Sequence, residues 1–287
     1  PGAGEAVGDA WVCTPTQPAS WDMAYACARG SHLAYELPDV IAAQAGHWGC
    51  QSWHAAAQGT ECIILRSAQT VPVLRRYALL AFRGTDASLV DAYTDVDCVW
   101  TEAPLAGACH RGFLVALDAI WDKLRPELGR VYDSGLPLFL TGHSLGGALA
   151  TLCAARLYDA GLPVWGCHTF GSPRVGDAVF ARAINAEQTR PYRHVNNNDT
   201  ITRLPPRVMG YRHTGALVYY DEDGHPYRDP SRWFRFCDRV HGRLADFGEW
   251  GTDGLKDHGC AEYVRTVGRA RLFEPGAHPP AGFFLGK

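Results

Sequence analysis

Apolar and polar positions along this chain follow two different periods. Short apolar runs at Glu61–Arg66 and Tyr77–Phe82, rich in β-branched and aromatic side chains, predict strands, and Pro137–Thr141, Pro163–Phe170 and Tyr192–Val195 read the same way. Helical spacing lies between and around them. From Gly112 to Val131, apolar residues recur at Leu114, Leu117, Ile120, Trp121 and Leu124, one face of a helix. Gly146–Tyr158 is a helix opened by two glycines, Asp177–Asn185 and Cys260–Arg271 are two more, and Trp21–Leu37 reads as one alanine-rich helix. Gly84–Trp100 is a loop or short helix, and Leu217–Tyr220 followed by Asp221-Glu222-Asp223-Gly224 suggests a late hairpin. Strands that alternate with helices predict an α/β fold, with a mostly parallel central sheet covered on both faces. No internal repeat occurs and no linker is long enough to separate a pair of domains, so residues 1–287 read as a single domain.

Composition narrows the partners. Twenty-seven basic against 30 acidic side chains give a net charge of −3, and no basic stripe appears, which argues against nucleic acid. Ser134 to Ala155 carries no charged side chain, long enough for a membrane span on length alone. Its centre, Thr141-Gly142-His143-Ser144-Leu145-Gly146-Gly147, suits a sharp turn between two buried elements instead, so no transmembrane segment is expected. The first ten residues lack a basic start and an apolar core, and no secretory leader is expected within them. Ten cysteines include no C-x-x-C pair, so zinc spacing is missing. Cys153 and Cys167 read as core filler, while the other eight are an even number open to disulfides. A secreted and a cytoplasmic location therefore stand equally open, as does the oligomeric state.

The chemistry centres on Gly142-His143-Ser144-Leu145-Gly146, a G-x-S-x-G pentapeptide led in by an apolar strand and led out by a helix. In that setting Ser144 occupies a strained strand-to-helix turn that lifts its Oγ clear of the sheet at a helix N-terminus. Glycines two before and two after are needed because a side chain there would meet the neighbouring strand or helix. The competing reading is a helix N-cap serine. A nucleophilic hydroxyl needs an imidazole to take its proton and a carboxylate to orient the imidazole, in the chain order Ser, acid, His. Asp199 follows the strand Tyr192–Val195 at the end where sites on parallel sheets gather. His258 opens the last helix on a loop with Gly259, where its ring could swing over the serine; His213 and His241 are less attractive because arginines crowd both.

These residues belong to a longer pattern. Phe82-Arg83-Gly84-Thr85, His110-Arg111-Gly112-Phe113, Thr141 to Ala150, Thr169-Phe170-Gly171-Ser172-Pro173-Arg174-Val175-Gly176-Asp177, Asn198 to Pro206 and Asp257-His258 appear in the order found in the fungal-type class 3 lipases, which have the α/β-hydrolase fold. The chain resembles that family over roughly residues 60 to 265. The resemblance implies Ser144 as nucleophile, Asp199 as acid and His258 as base, with an oxyanion hole from the backbone N–H groups of Thr85 and Leu145. It departs from the family at residues 1–60 and Gly210–Gly254, which match nothing recognisable, and at Asp177, where an Asn is usual.

The resemblance also implies a lid at residues 85–100. Leu89, Val90, Tyr93 and Val96 form one helical face there, among Asp86, Asp91, Asp95 and Asp97. Such an element could cover an apolar groove and open at an oil–water interface, and its acids point to neutral esters such as glycerides. The expected activity is cleavage of carboxylic esters, acylglycerols first, through an acyl-enzyme, with neither a cofactor nor a metal. A feruloyl-type or short-chain carboxylesterase, a phospholipase A1 and a non-catalytic binding protein on the same fold are the alternatives.

Overall fold

The structure, a computed structural model, describes residues 19–85, 99–231 and 257–271. Its strands are β1 (Cys50–Ala57), β2 (Thr60–Ser67), β3 (Ala78–Phe82), β4 (Trp100–Glu102), β5 (Ala108–His110), β6 (Leu138–His143), β7 (Gly166–Phe170), β8 (Tyr192–Asn196), β9 (Ala216–Tyr220) and β10 (Pro226–Arg228). The helices are α1 (Trp21–Leu33), α2 (Pro38–His47), α3 (Arg111–Asp133), α4 (Leu145–Asp159), α5 (Ala178–Ala186) and α6 (Cys260–Ala270). Eight strands form one sheet in the order β1-β2-β3-β6-β7-β8-β9-β10, and β4 pairs with β5 in a separate ribbon. From β3 through β6, β7 and β8 to β9 every pairing is parallel, while β1, β2 and β10 add antiparallel edges.

The central strands are short and buried on both faces, as parallel strands between two helical layers must be. In β3 all five residues of Ala-Leu-Leu-Ala-Phe are buried. Alternation then sorts them: Leu80 and Phe82 join Leu138, Leu140 and Leu149 under α3 and α4, while Leu79, Ala81 and Phe139 face α1 and α6. Each such leucine or phenylalanine contributes about 1.5–3 kcal/mol by leaving water. Both layers are thus anchored by the same few strands.

Two elements near the start of the chain depart from the sequence reading. The helix read as Trp21–Leu37 stops at Leu33, and a second helix begins at Pro38. Leu37 precedes a proline and is extended at ψ 153°, because the ring excludes a helical residue before it. Strand β1, with the sequence Cys-Gln-Ser-Trp-His-Ala-Ala-Ala, has little β-propensity and escaped the periodicity; it forms because a two-residue turn folds it onto β2. The turn residues Gln58 and Gly59 both have positive φ, 48° and 78°, the twist-matched hairpin geometry. Asp177 caps α5, its Oδ1 accepting from the N–H groups of Val179 and Phe180, a role that asparagine fills equally well.

Cys62, Cys109, Cys153, Cys167 and Cys260 carry free thiols. The expectation that eight cysteines are open to bridges is therefore corrected at 62, 109 and 260. Burial pushes the Cys109 thiol up to about 12, so it packs as a small apolar group rather than reacting as a thiolate. Among the described residues no helix is long and apolar enough to cross a membrane. The proposed lid side chains Leu89, Val90 and Tyr93 lie outside the described residues.

Candidate active site

Parallel pairing brings the carboxyl ends of β3, β6, β7 and β8 to one edge of the sheet, with His143 opposite Phe170 and Phe170 opposite His194. The segments that leave this edge are Arg83-Gly84-Thr85, Ser144-Leu145, Gly171-Ser172 and Asn197-Asn198-Asp199, which is where a site on such a sheet is built.

Ser144 joins β6 to α4 at φ 56° and ψ −127°, a strained backbone for a residue with a side chain. The turn is as tight as its glycines allow. A Cβ on Gly142 would stand 2.2 Å from the carbonyl of Gly146, and one on Gly146 would stand 2.2 Å from the Phe82 oxygen. Ser144 N–H donates to the Phe170 carbonyl at 2.9 Å, which fixes the turn against β7. Its hydroxyl does not cap α4. Instead Ser144 Oγ lies 2.9 Å from His258 Nε2, and His258 Nδ1 lies 3.0 Å from Asp199 Oδ2. The three side chains expected to act together meet in one hydrogen-bonded line, although 114 residues separate the first pair and 59 the second.

Each member is held from behind. Asp199, whose side chain is fully buried, accepts at Oδ1 from Ile201 N–H at 2.9 Å, and its carbonyl accepts from the Thr202 hydroxyl. Oδ2 also receives a 2.6 Å bond from the hydroxyl of Tyr263, which itself accepts from Asn196 N–H at 3.1 Å. Burial, and then the charge of Asp199, hold the Tyr263 phenol far above its ordinary range, so it remains a donor. The Asp257–His258 loop is tied to the end of β8: Asn196 Nδ2 donates to the Asp257 carbonyl and Asn198 N–H to its carboxylate. His143 Nε2 donates to the His258 carbonyl at 2.5 Å, and the Tyr35 hydroxyl donates to His143 Nδ1 at 2.7 Å. That tautomer is the neutral one, and burial together with the nearby His258 pulls His143 down to about 3. Gly171, at φ 60°, leaves room for the acid–base pair: a Cβ there would stand 2.7 Å from Asp199 Oδ2 and 2.9 Å from His258 Nδ1.

Gly84 performs the same service on the other side. A Cβ at Gly84 would stand 2.6 Å from the His143 carbonyl and 3.2 Å from Ser144 Cβ, so the backbone of 83–85 runs directly beside the serine. Thr85 follows, with a buried Oγ1 that has no hydrogen-bond partner. Leu145 is the first residue of α4, and its N–H has no acceptor within the helix. The arrangement can take a proton from a serine hydroxyl onto a neutral imidazole while a buried carboxylate stabilises the imidazolium. His213 lines a different cavity, and His241 lies outside the described residues. Asp221, Asp223 and His225 place ligand atoms within 4.8 Å of one another, a cluster the sequence reading did not find, but Asp221 is already engaged with the N–H groups of Asp223 and His225 and the Tyr227 hydroxyl. Sequence reasoning missed Tyr263, His143 and Tyr35 as supports; nothing in a linear pattern points a phenol five positions past His258 at Asp199.

Residues 79–209 match the family model described as lipase (class 3). A secreted mono- and diacylglycerol lipase of Fusarium solani is 35% identical over 149 residues, 51% of this chain and 44% of that protein. The lipase of Rhizomucor miehei is 31% identical over 189 residues, 61% of this chain and 49% of its own length. The chain thus spans about half the length of the curated relatives it matches. Among solved structures, the Rhizomucor miehei lipase propeptide complex superposes with a TM-score of 0.60 at 23% identity, covering 72% of this chain and 69% of that one. With the sheet order and the strand-to-helix turn, this likeness gives the α/β-hydrolase fold. Residues 79–209 are thus similar to the fungal-type class 3 lipase family.

Proposed function

We propose that this protein is a serine hydrolase that cleaves carboxylic esters, acylglycerols first among them. The observation that carries the reading is the Ser144–His258–Asp199 line, with bonds of 2.9 and 3.0 Å on a backbone strained at the serine. His258 Nε2 takes the Ser144 proton as Oγ attacks the acyl carbon, and Asp199 holds the Nδ1–H and stabilises the resulting imidazolium. The tetrahedral oxyanion is bound by the N–H groups of Thr85 and Leu145, with the unpartnered Thr85 hydroxyl as a third donor. Losing one such donor costs about 2.7–4 kcal/mol of barrier. His258 then returns its proton to the leaving alcohol, and water repeats the sequence on the acyl-enzyme. The family and the names of the relatives, mono- and diacylglycerol lipase among them, support acylglycerol as substrate. The same reading takes the chain as one domain in which residues 85–100 act as a lid.

Labelling with an organophosphate tests the chemistry. Ser144→Ala is expected to abolish labelling and esterase turnover together, and label retained on another residue would overturn the assignment. Substrate class is tested with p-nitrophenyl esters of increasing chain length beside tributyrin below and above its solubility limit. A rise in rate as droplets form supports a lipase with a lid; a rate saturating smoothly through the limit favours a short-chain carboxylesterase.

A further inference from the structure

A cavity of about 530 Å³ opens on the face of β8 and β9 that carries Val195, Leu217 and Tyr219, and of the proposed triad only Asp199 reaches it. Its walls carry five arginines, Arg174, Arg193, Arg203, Arg207 and Arg212, against the carboxylates of Asp199 and Asp229. Arg193 and Arg203 have further partners, and neither acid pairs with Arg174, Arg207 or Arg212. Asp199 is committed to His258, Tyr263 and Ile201, and Asp229 accepts from Leu217 N–H.

Two of the guanidinium groups, those of Arg174 and Arg212, are held in place by backbone carbonyls. Arg174 Nη1 donates to the carbonyls of Arg203 and Pro205, and Arg212 Nη1 to those of Arg207 and Tyr211 at 3.0 and 2.9 Å. Their remaining donors, and all those of Arg207, meet no protein acceptor among the described residues. Burial and the like charges of Arg207, Arg212 and Arg203 pull Arg174 down to about 10. A fold gains nothing by gathering like charges in a recess unless something of opposite sign completes the set. An independent feature points the same way. Asn197, only 5% exposed, accepts from the Tyr219 hydroxyl at Oδ1, while its Nδ2, also on this cavity, has no partner. A buried amide donor without an acceptor is costly and calls for one.

We propose that this cavity is a binding site for a phosphate group, held by Arg174, Arg207, Arg212 and Asn197 Nδ2. Several guanidinium forks converging from different elements match a phosphate, which offers three or four acceptor oxygens and up to two charges. A monocarboxylate would leave most of the positive charge uncompensated. The phosphate is either free or carried by a lipid headgroup, and the two sources differ in what the test reads.

The full chain is titrated with inorganic phosphate by calorimetry, with acetate at equal ionic strength as reference. It is also sedimented with phosphatidylcholine vesicles with and without phosphatidic acid. Arg207→Gln is compared with Arg125→Gln, an exposed arginine on α3 away from the cavity, and the melting temperature of both variants verifies folding. Because charge-assisted bonds are strong, Arg207→Gln is expected to weaken binding about tenfold or more while Arg125→Gln leaves it unchanged. Loss in the phosphate arm identifies a free ligand, and loss only in the phosphatidic acid arm identifies a headgroup. If folded Arg207→Gln and Arg125→Gln behave alike in both arms, or acetate binds as well as phosphate, the proposal fails.

Discussion

Asp199 Oδ2 is the atom on which the proposed machinery converges, because it accepts from both His258 Nδ1 and the Tyr263 hydroxyl. A hydrogen bond to a charged group contributes about 1.5–3 kcal/mol, and its loss here frees the carboxylate to rotate away from the imidazole. Tyr263→Phe keeps the ring that packs at 5.9 Å from Phe170 but removes the donor, and it also strips Asn196 N–H of its acceptor. The expected result is a fall in kcat of roughly tenfold or more with KM little changed, the pattern of an interaction felt in the transition state. Steady-state kinetics on a soluble p-nitrophenyl ester measure it; an unchanged kcat would show that Ile201 N–H and His258 alone fix the acid.

At the level of elements, strain sits in turns, and two of them yield predictions. Gln58 adopts φ 48° in the β1–β2 hairpin, where an asparagine followed by glycine fits with least cost. Gln58→Asn is therefore expected to stabilise the protein by up to about 1 kcal/mol, read as a higher melting temperature. The other turn tolerates nothing. Gly146→Ala would place a methyl group 2.2 Å from the Phe82 oxygen and push α4 off β3. A destabilisation of about 1–3 kcal/mol is expected, since overpacking a close contact costs that much, and denaturant unfolding reports it. The helix break at Leu37 and the unforeseen β1 are lessons of the same scale. A proline's effect on its predecessor is local and readable, whereas a strand of weak propensity exists only because β2 offers it an edge.

Across the whole molecule, buried neutral histidines set the response to acid. Burial, with the nearby His258, holds His143 at about 3, and burial with the neighbouring His168 lowers His194 well below its ordinary value. His194 is locked between His168 Nδ1 at 3.0 Å and the Tyr220 hydroxyl at 2.7 Å. For both histidines the unfolded chain binds a proton below about pH 6.5 that the folded chain refuses. Stability is therefore complete above that pH and falls as pH drops below it, each histidine contributing up to about 1.4 kcal/mol per pH unit. Urea midpoints between pH 7.5 and 5 are expected to decline with this slope, and His194→Gln should flatten it; a flat wild-type profile would refute the account.

How much of this was legible in advance follows from the range of the forces involved. The central strands, most helices, the α/β class and the serine turn are set by local rules: apolar periodicity, glycine placement and the chirality of the backbone act over a few residues and leave their mark in the linear order. Ser144, Asp199 and His258 could be picked out because a strand end, a G-x-S-x-G and a family pattern surround them. Their meeting could not be read from spacing, and neither could the supports at Tyr263, His143 and Tyr35, nor a cavity whose arginines are drawn from five separated positions between 174 and 212. Those contacts exist because parallel register fixes which strand ends are neighbours and because α6 docks on α1, and both are decided by burial summed over the entire sheet rather than by any one segment.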